Sequence, residues 1–575
     1  MVSNVPGEDP MKRRKFIQTI GTTAPIAAAA NAAETVPDAV AVTRTEEPRV
    51  FVSDDGRHAA PLYQFAPELE PADHAFVLDQ LVGSGVDTLI YFAGLEGGVA
   101  LYDSRVVQKW GDNVVKWKHP VFYRAARHIQ QLIDDGYDPL KVLCDRAHEK
   151  RVWLIAGNWV GLQGGDRTID GGFGRKSDFV YDNPNFQVGT ENDPRAEHVD
   201  PARFSFLHAK VRKERLSVFE EMLTRYETDG IELNLVDFAP FCLFSQAGQL
   251  SEVLTTWLRD LKVIAQRAEQ RQGRRKRIYA RIPSHPDAWK VLGYDVAGWV
   301  EGKLVDGFIC LPALMEDPMD QAPDISEIVR LTRGTSCRVL TALNDTLGRQ
   351  FEGYATAPMT WAAAANAYDQ GADGFGISNY HHSPNGWPWT AEEYEKFRLL
   401  GHPDLLATAD KLYRAPSMPR GISDGYWLPG VMPLLPQVLE QNQPVETQLR
   451  IADDLSKWEA LGRVSSVRLR VRLTNIEPSL NEVRIELNGR QLPDRMLKLT
   501  DLTYRLYELG AVNPYGFVYE YELPAEWYPN RGNNTVTVTV AEYDPDIDFM
   551  FQVVDIDIVV NYCVHRHFER SPAAY

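Results

Sequence analysis

The sequence predicts a (β/α)8 barrel followed by an all-β sandwich of jelly-roll-like character. Three observations carry that reading. From Val50 to His402, short β-branched runs alternate with longer amphipathic stretches, the rhythm of parallel strands joined by helices. Eight strand candidates fall within this span of about 350 residues, each followed by helical material, as a closed barrel with long loops requires. Beyond Pro403 the helical periodicity stops, and period-two runs take over with turn residues between them.

Taken in order, "RVFVS" (Arg49 to Ser53) is the first strand, and "DHAFVLDQLVGSG" is a helix closed by glycine. "VDTLIYFAG" (Val86 to Gly94) is the second strand. The helical stretches "FYRAARHIQQLIDDG" and "DPLKVLCDRAHEK" lead into the third, "RVWLIAGNW" (Arg151 to Trp159). A Gly/Asp-rich segment, Gly161 to Asp200, reads as an elaborated loop. "VRKERLSVFEEMLTRYETDG" is helical and delivers the chain into the fourth strand, "IELNLV". "LSEVLTTWLRDLKVIAQRAEQ" then precedes "RIYARIP", and "YDVAGWVEGKL" precedes "VDGFICLP". "DISEIVRLTRG" precedes "CRVLTALND", and "MTWAAAANAYDQG" precedes "ADGFGISNY". An open doubly wound sheet is the alternative, but no strand candidate is followed by GxGxxG.

The stretch "YRAPSMPRGISDGYWLPGVMPLLP" is too rich in proline and glycine for a regular element. After it come "VSSVRLRVRLTN", "NEVRIELNGRQLP", "GFVYEYELP", "NTVTVTVAEYD" and "FQVVDIDIVVNY". In the first of these, Val467, Leu469, Val471 and Leu473 face one way and Arg468, Arg470 and Arg472 the other. Asn488-Gly489 marks a hairpin turn. Short half-buried strands with no helix between them predict a sandwich. The expected organisation is a leader at 1–33, a linker at 34–48, the barrel at 49–402, a Pro/Gly-rich connector at 403–446 and the sandwich at 447–575.

The leader is expected from "MKRRKFIQTIGTTAPIAAAANAAE". Arg13 and Arg14 precede Phe16, a mild apolar run and Ala30-Asn31-Ala32, the layout of a twin-arginine export signal with its cleavage site. The alanine-rich run is too short for a stable membrane span, so an exported chain, periplasmic or extracellular and free of the membrane after cleavage, is expected. Net charge is -18 over 575 residues with no basic block, which argues against a nucleic-acid surface. The five cysteines show no CxxC or metal-ligand spacing and suit core packing. Oligomeric state is not legible.

In a (β/α)8 barrel, chemistry gathers at the C-terminal ends of the strands. Within "DGIELNLVDF", alternation turns Ile231, Leu233 and Leu235 toward the helices and Glu232, Asn234 and Val236 into the barrel, with Asp237 on the rim. Glu232 could serve structurally, paired with Arg281 of the next strand. Asn158 and Trp159 end the third strand, near Gln163. Arg281, Ser284 and His285 end the fifth, and Glu316 and Asp317 follow the sixth. Asn344 and Asp345 end the seventh, and Asn379, Tyr380, His381 and His382 the eighth, ahead of Trp387 and Trp389. Carboxylates, amides and aromatic rings around one mouth suit a sugar, whose C–H faces stack on rings and whose hydroxyls bond amides and acids. Singly, Asp345 and Asp317 serve equally well as helix caps. Two carboxylates flanking a bond would hydrolyse a glycoside, and Glu232, Asp237, Glu316 and Asp345 are the candidates. No cofactor or metal is expected. His381-His382 point apart on an extended segment, His565 and His567 lie near the C-terminus, and no GxSxG, HExxH or P-loop occurs.

The helix-to-strand stretch "VRKERLSVFEEMLTRYETDGIELN", the run "RIPSHPDAWKVLGYDVAGWVEGKLVDGFI" and the terminal "AYDQGADGFGISNY" together resemble the exported bacterial glycoside-hydrolase-like, or family-10-like, barrel proteins across Val50 to His402. The resemblance implies a saccharide-active protein whose partner is a poly- or oligosaccharide. Where the family often carries Asp after "DGIEL", this chain has Asn234. Where an Arg commonly follows three residues later, it has Asp237. On that basis Asp237 and Glu316 are the expected acid/base pair, with Glu232 and Arg281 positioning the substrate. Asn158, Tyr380 and His381 would bond hydroxyls, Trp159 or Trp387 would stack, and Asn234, Asp345 and Asn379 would line the site. The alternative is a polysaccharide-binding barrel that does not cut, as Asn234 and the accessory sandwich suggest.

Overall fold

The computed structural model describes residues 45–56, 62, 68–196, 199–312, 319–344, 355–378, 389–417, 435–501, 516–546 and 550–563. The leader, most of the linker, Glu316, Asp317, Asp345, Asn379, Tyr380, His381, His382, Trp387, His565 and His567 lie outside them. Among the described residues no helix is long and apolar enough to cross a membrane.

Eight parallel strands close into a barrel: β1 (Val50–Asp54), β2 (Thr88–Phe92), β3 (Trp153–Trp159), β4 (Gly230–Asn234), β5 (Arg277–Pro283), β6 (Gly307–Leu311), β7 (Arg338–Asn344) and β8 (Gly374–Ser378), with β8 returning to β1. Strand pairing brings Gly157 beside Glu232 and Trp159 beside Asn234, and on the other edge Glu232 beside Tyr279 and Asn234 beside Arg281. Paired residues share a face, so all of these point inward. The lumen is packed by Phe51, Ile90, Phe92, Ile155, Trp159, Val236, Tyr279, Ile309, Leu311, Leu340 and Ala342. The alternate residues, among them Val52, Leu89, Leu154, Ile231 and Leu233, join the core beneath the surrounding helices. The barrel is thus filled, not hollow, as branched and aromatic side chains dictate.

The helices begin where capping chemistry allows. Asp138 accepts the Leu140 N–H at 3.1 Å ahead of Pro139–Lys150, and His119 accepts the Phe122 N–H at 3.3 Å ahead of Pro120–Asp134. Between β5 and β6 the single expected helix is two, Pro286–Leu292 and Val296–Glu301. Gly293 breaks them at φ 73°, and a Cβ there would meet the Ala247 carbonyl oxygen at 2.3 Å, so only glycine fits. The elaborated loop after β3 holds short helices at Arg167–Asp170 and Asp178–Asp182, and Arg175 ties it to the β2 loop through two 2.6 Å bonds to Glu96.

The C-terminal region is two antiparallel sheets over one shared core. The six-stranded sheet holds β9 (Lys411–Arg414), β10 (Gln437–Leu439), β12 (Val464–Thr474), β15 (Leu497–Asp501), β16 (Gly516–Glu522) and β18 (Phe551–Tyr562). The other holds β11 (Val445–Ile451), β13 (Glu482–Leu487), β14 (Arg490–Gln491) and β17 (Gly532–Glu542). Val467, Leu469, Val471 and Leu473 face the core with Val536, Val538 and Val540 of the opposite sheet. Two short strands, β9 and β10, flank the stretch expected to be irregular, within the connector, and both pair with β18. Each has only three or four residues, too few for alternation to stand out beside prolines.

Barrel and sandwich meet along helix Ala357–Asp369. Asp369 accepts from Arg450 Nη2 and Arg531 Nη2, each at 2.6 Å, and Ala362 sits in the sandwich core.

Candidate active site at the barrel mouth

Strand β4 supplies the centre of the site. Glu232, one step below the end of the strand, has no solvent exposure. Its Oε1 accepts from Arg281 Nε at 2.6 Å, and the same guanidinium reaches Ser378 Oγ and Ser53 Oγ, each at 2.7 Å. One arginine therefore ties β4, β5, β8 and β1 across the lumen. The arginine pairing expected from the alternation is present. Glu232 Oε2 has no hydrogen-bond partner among the described residues, and burial raises the carboxyl above its usual range although Arg281 opposes the shift. Gly157 makes room for that oxygen: a Cβ there would lie 2.9 Å from Oε2 and 3.1 Å from the Phe92 ring.

Above this floor the strand turns. Asn234 Oδ1 accepts the Val236 and Asp237 backbone N–H groups, each at 3.0 Å, a local bond that an aspartate would also make. Its Nδ2 donates to Asp237 Oδ2 at 2.7 Å, which an aspartate could not do. The Trp159 indole N–H donates to the same Oδ2 at 3.1 Å. Two neutral donors thus hold one oxygen of a partly exposed carboxylate, while Oδ1 takes no hydrogen bond from the described residues. Phe238 follows at φ 61°, a conformation costly for a bulky side chain and found where surrounding contacts impose it. The Trp159 ring sits between Phe92 at 4.8 Å and Phe238 at 6.1 Å, forming an aromatic wall beside Asp237.

Of the expected site residues, Asp237, Glu232, Asn234, Arg281 and Trp159 come together here. Asn158 does not. It pairs with the outward-facing Leu233, accepts the Trp159 backbone N–H at 2.8 Å, and lies where a Cβ on Gly94 would touch it. Trp389 stacks on Phe397 at 4.9 Å and Gln163 donates to Asp200 at 3.2 Å.

Two features escaped the sequence reading. Asp54, taken as the residue after the first strand, is its last member, and Asp55 follows it, both buried. Ending the strand one residue later would have put this acidic pair among the candidates. Asp54 Oδ1 accepts the Gly56 N–H at 2.7 Å, yet burial and the neighbouring Asp55 push its carboxyl up to about 8. The second is Arg203, on a loop strand bridged to Gln163. It is 7% exposed, its Nε and Nη1 have no hydrogen-bond partner among the described residues, and burial lowers its pKa to about 10 against the fields of Asp200 and Asp237. Nothing local in "DPARFSF" marks it, because it reaches the site only through the tertiary bridge.

Among the described residues no group of three His, Cys, Asp or Glu side chains is gathered as a metal site would require. The arrangement offers an oriented carboxylate, a buried ion pair beneath it and aromatic surface alongside.

No family model matches this chain, and no curated protein matches it by sequence. Solved structures match it at low identity. The cycloisomaltooligosaccharide glucanotransferase of a Paenibacillus species, solved with cycloisomaltoheptaose, is 10% identical, covers 88% of this chain and aligns with a TM-score of 0.33. The α-L-fucosidase isoenzyme 2 of Paenibacillus thiaminolyticus is 14% identical over 63% of this chain, with a TM-score of 0.39. This chain spans 57% and 50% of those two proteins. The glycoside hydrolase domain of PgaB from Bordetella bronchiseptica is 11% identical, with 57% of this chain against 93% of that one and a TM-score of 0.34. No residue role is transferred from any of them.

Proposed function

We propose that this protein is a carbohydrate-active barrel enzyme that hydrolyses glycosidic bonds in a poly- or oligosaccharide. The carrying observation is the Asp237 carboxylate, fixed at the mouth of the barrel through one oxygen by Trp159 and Asn234 and flanked by the aromatic wall. A carboxylate held in one orientation is what a base or nucleophile at an anomeric centre requires. The ring faces beside it suit the C–H face of a sugar. Glu316, five residues beyond the end of β6, is the partner that would protonate the leaving oxygen. Glu232 and Arg281 form the floor, setting the height of Asn234 and through it the angle of Asp237.

Asn234 also favours a second reading, a barrel that binds saccharide without cutting it, because its amide occupies Asp237 Oδ2. Reducing-sugar release separates the two. In the hydrolase, Asp237→Asn and Glu316→Gln each lower release by more than about a hundredfold at unchanged stability. Saccharide binding without release by the wild-type chain would establish the receptor instead.

Export through the twin-arginine route is part of the proposal, supported by Arg13-Arg14 and the small-residue site at Ala30 to Ala32. Replacing both arginines by lysine is expected to leave uncleaved chain in the cytoplasm, read by fractionation. Undiminished export of that variant would refute the route.

A further inference from the structure

A cavity of about 540 Å³ lies between the barrel flank and the sandwich, beside the last turn of helix Ala357–Asp369. Its volume is in the range of small-molecule sites, roughly 300–1,000 Å³. Asp320 and Asp324 of the segment following β6 line it, with Asn366 and Gln370 of the helix end and Arg414 and Arg450 of the sandwich.

Arg414 is bound to Asp557 at 2.7 and 2.9 Å and lies near Asp555, and Arg450 is bound at 2.6 Å to Asp369, which it shares with Arg531, leaving the Arg450 Nε without a partner among the described residues. Asp320 is only 4% exposed and has no cation within ion-pair distance among the described residues. Its one hydrogen bond is from the Ala322 N–H at 2.9 Å. Asp324 accepts only the Ser326 N–H, also at 2.9 Å. A buried carboxylate is costly unless a cation or several donors face it. Asn366, 1% exposed, donates Nδ2 to the Arg450 carbonyl at 3.2 Å, while its Oδ1 has no partner among the described residues. The unused groups of the cavity are thus the acceptors of Asp320 and Asn366 and one donor, the Arg450 Nε.

We propose that this seam is a second ligand site, separate from the barrel mouth, which takes an amino sugar with its ammonium on Asp320 and its hydroxyls on Asn366 and the neighbouring amides. An ammonium supplies three donors and the cation that Asp320 lacks, and hydroxyls, which both donate and accept, suit the Asn366 Oδ1 and the Arg450 Nε. The described lining residues include no aromatic ring, so one or two sugar units would be held there by polar contacts alone.

Burial pushes the Asp320 carboxyl up to about 6, with the Ala322 N–H opposing. The charged groups that line the cavity with it are Asp324, Arg414 and Arg450. The carboxylate is charged above about pH 6 and neutral below, so amine affinity falls as pH drops through that value.

The test is calorimetric titration of the full chain with the glucosamine disaccharide, its N-acetylated counterpart and putrescine. Binding of the glucosamine disaccharide is expected to exceed that of the acetylated form and to weaken by roughly ten- to a hundredfold in Asp320→Asn, the loss of one charge-assisted contact. Asn366→Ala should weaken it less, and Ala322→Phe should fill the cavity and abolish it while the melting temperature holds. Asp237→Asn should leave it unchanged, so failure of the mouth as a hydrolase and failure of this site are told apart. Equal binding of putrescine would overturn the sugar and leave a plain amine site. No binding of any amine, or binding insensitive to Asp320→Asn and Ala322→Phe, would overturn the site itself.

Discussion

Arg281→Met is expected to destabilise the protein by about 3–5 kcal/mol, the cost of stranding a buried charge. Among the described residues Glu232 has no other partner for Oε1, and its Oε2 has none. Ser53 and Ser378 would lose their shared donor at the same time. The effect carries a pH signature. A carboxyl whose folded pKa is raised contributes least to stability when ionised, so the loss should shrink as pH falls and Glu232 takes up its proton. Combining Glu232→Leu with Arg281→Met should recover most of the loss, because removing both charges leaves nothing uncompensated. Urea titration followed by tryptophan fluorescence measures all three. A loss under about 1 kcal/mol for the single variant would mean that water reaches Glu232 and that the floor of the site is not dry.

Asp54→Asn should stabilise the protein, and increasingly so with pH. Asparagine keeps an acceptor for the Gly56 N–H and removes the charge. In the unfolded chain an aspartate ionises near pH 3.9, whereas in the fold Asp54 holds its proton up to about 8. Between those values the folded state binds more protons than the unfolded one, so wild-type stability declines as pH rises through the window. At about 1.4 kcal/mol per pH unit of difference, the variant should be a few kcal/mol more stable than wild type at pH 8 and nearly equal at pH 4. Melting temperatures across pH 4 to 9 decide it. A pH-independent difference would mean that Asp54 is ionised throughout and held by a partner.

Strand β5 is the clearest case of legibility: "RIYARIP" occupies Arg277–Pro283 as expected, because a β-branched and aromatic run bounded by charge has one reading. The inward setting of Glu232 and Asn234 follows from alternation alone, and so does the arginine partner one strand over. Asp237 as a rim carboxylate follows from its position past the strand. What alternation could not tell was depth. Asn158 lies one residue before the end of β3, which closes at Trp159 as expected, so alternation with the inward Trp159 turns it outward, whereas at β1 one residue of boundary hid Asp54. Arg203 and Asp320 depend on contacts between distant segments, which no local pattern encodes. Strands β9 and β10 were hidden by their shortness among prolines.

The seam between the barrel and the sandwich bears on how such a protein can be cut and recombined. Asp369 on the barrel helix is gripped by Arg450 and Arg531 from the sandwich, and Ala362 of that helix is buried among sandwich side chains. A chain ended at the close of the barrel would strip the cover from that helix and leave Asp369 without both arginines. The sandwich is therefore no interchangeable cartridge. In any chimera, helix Ala357–Asp369 and the β11 and β17 segments that hold it would have to travel together, as though the helix of the seventh βα unit belonged to its neighbour.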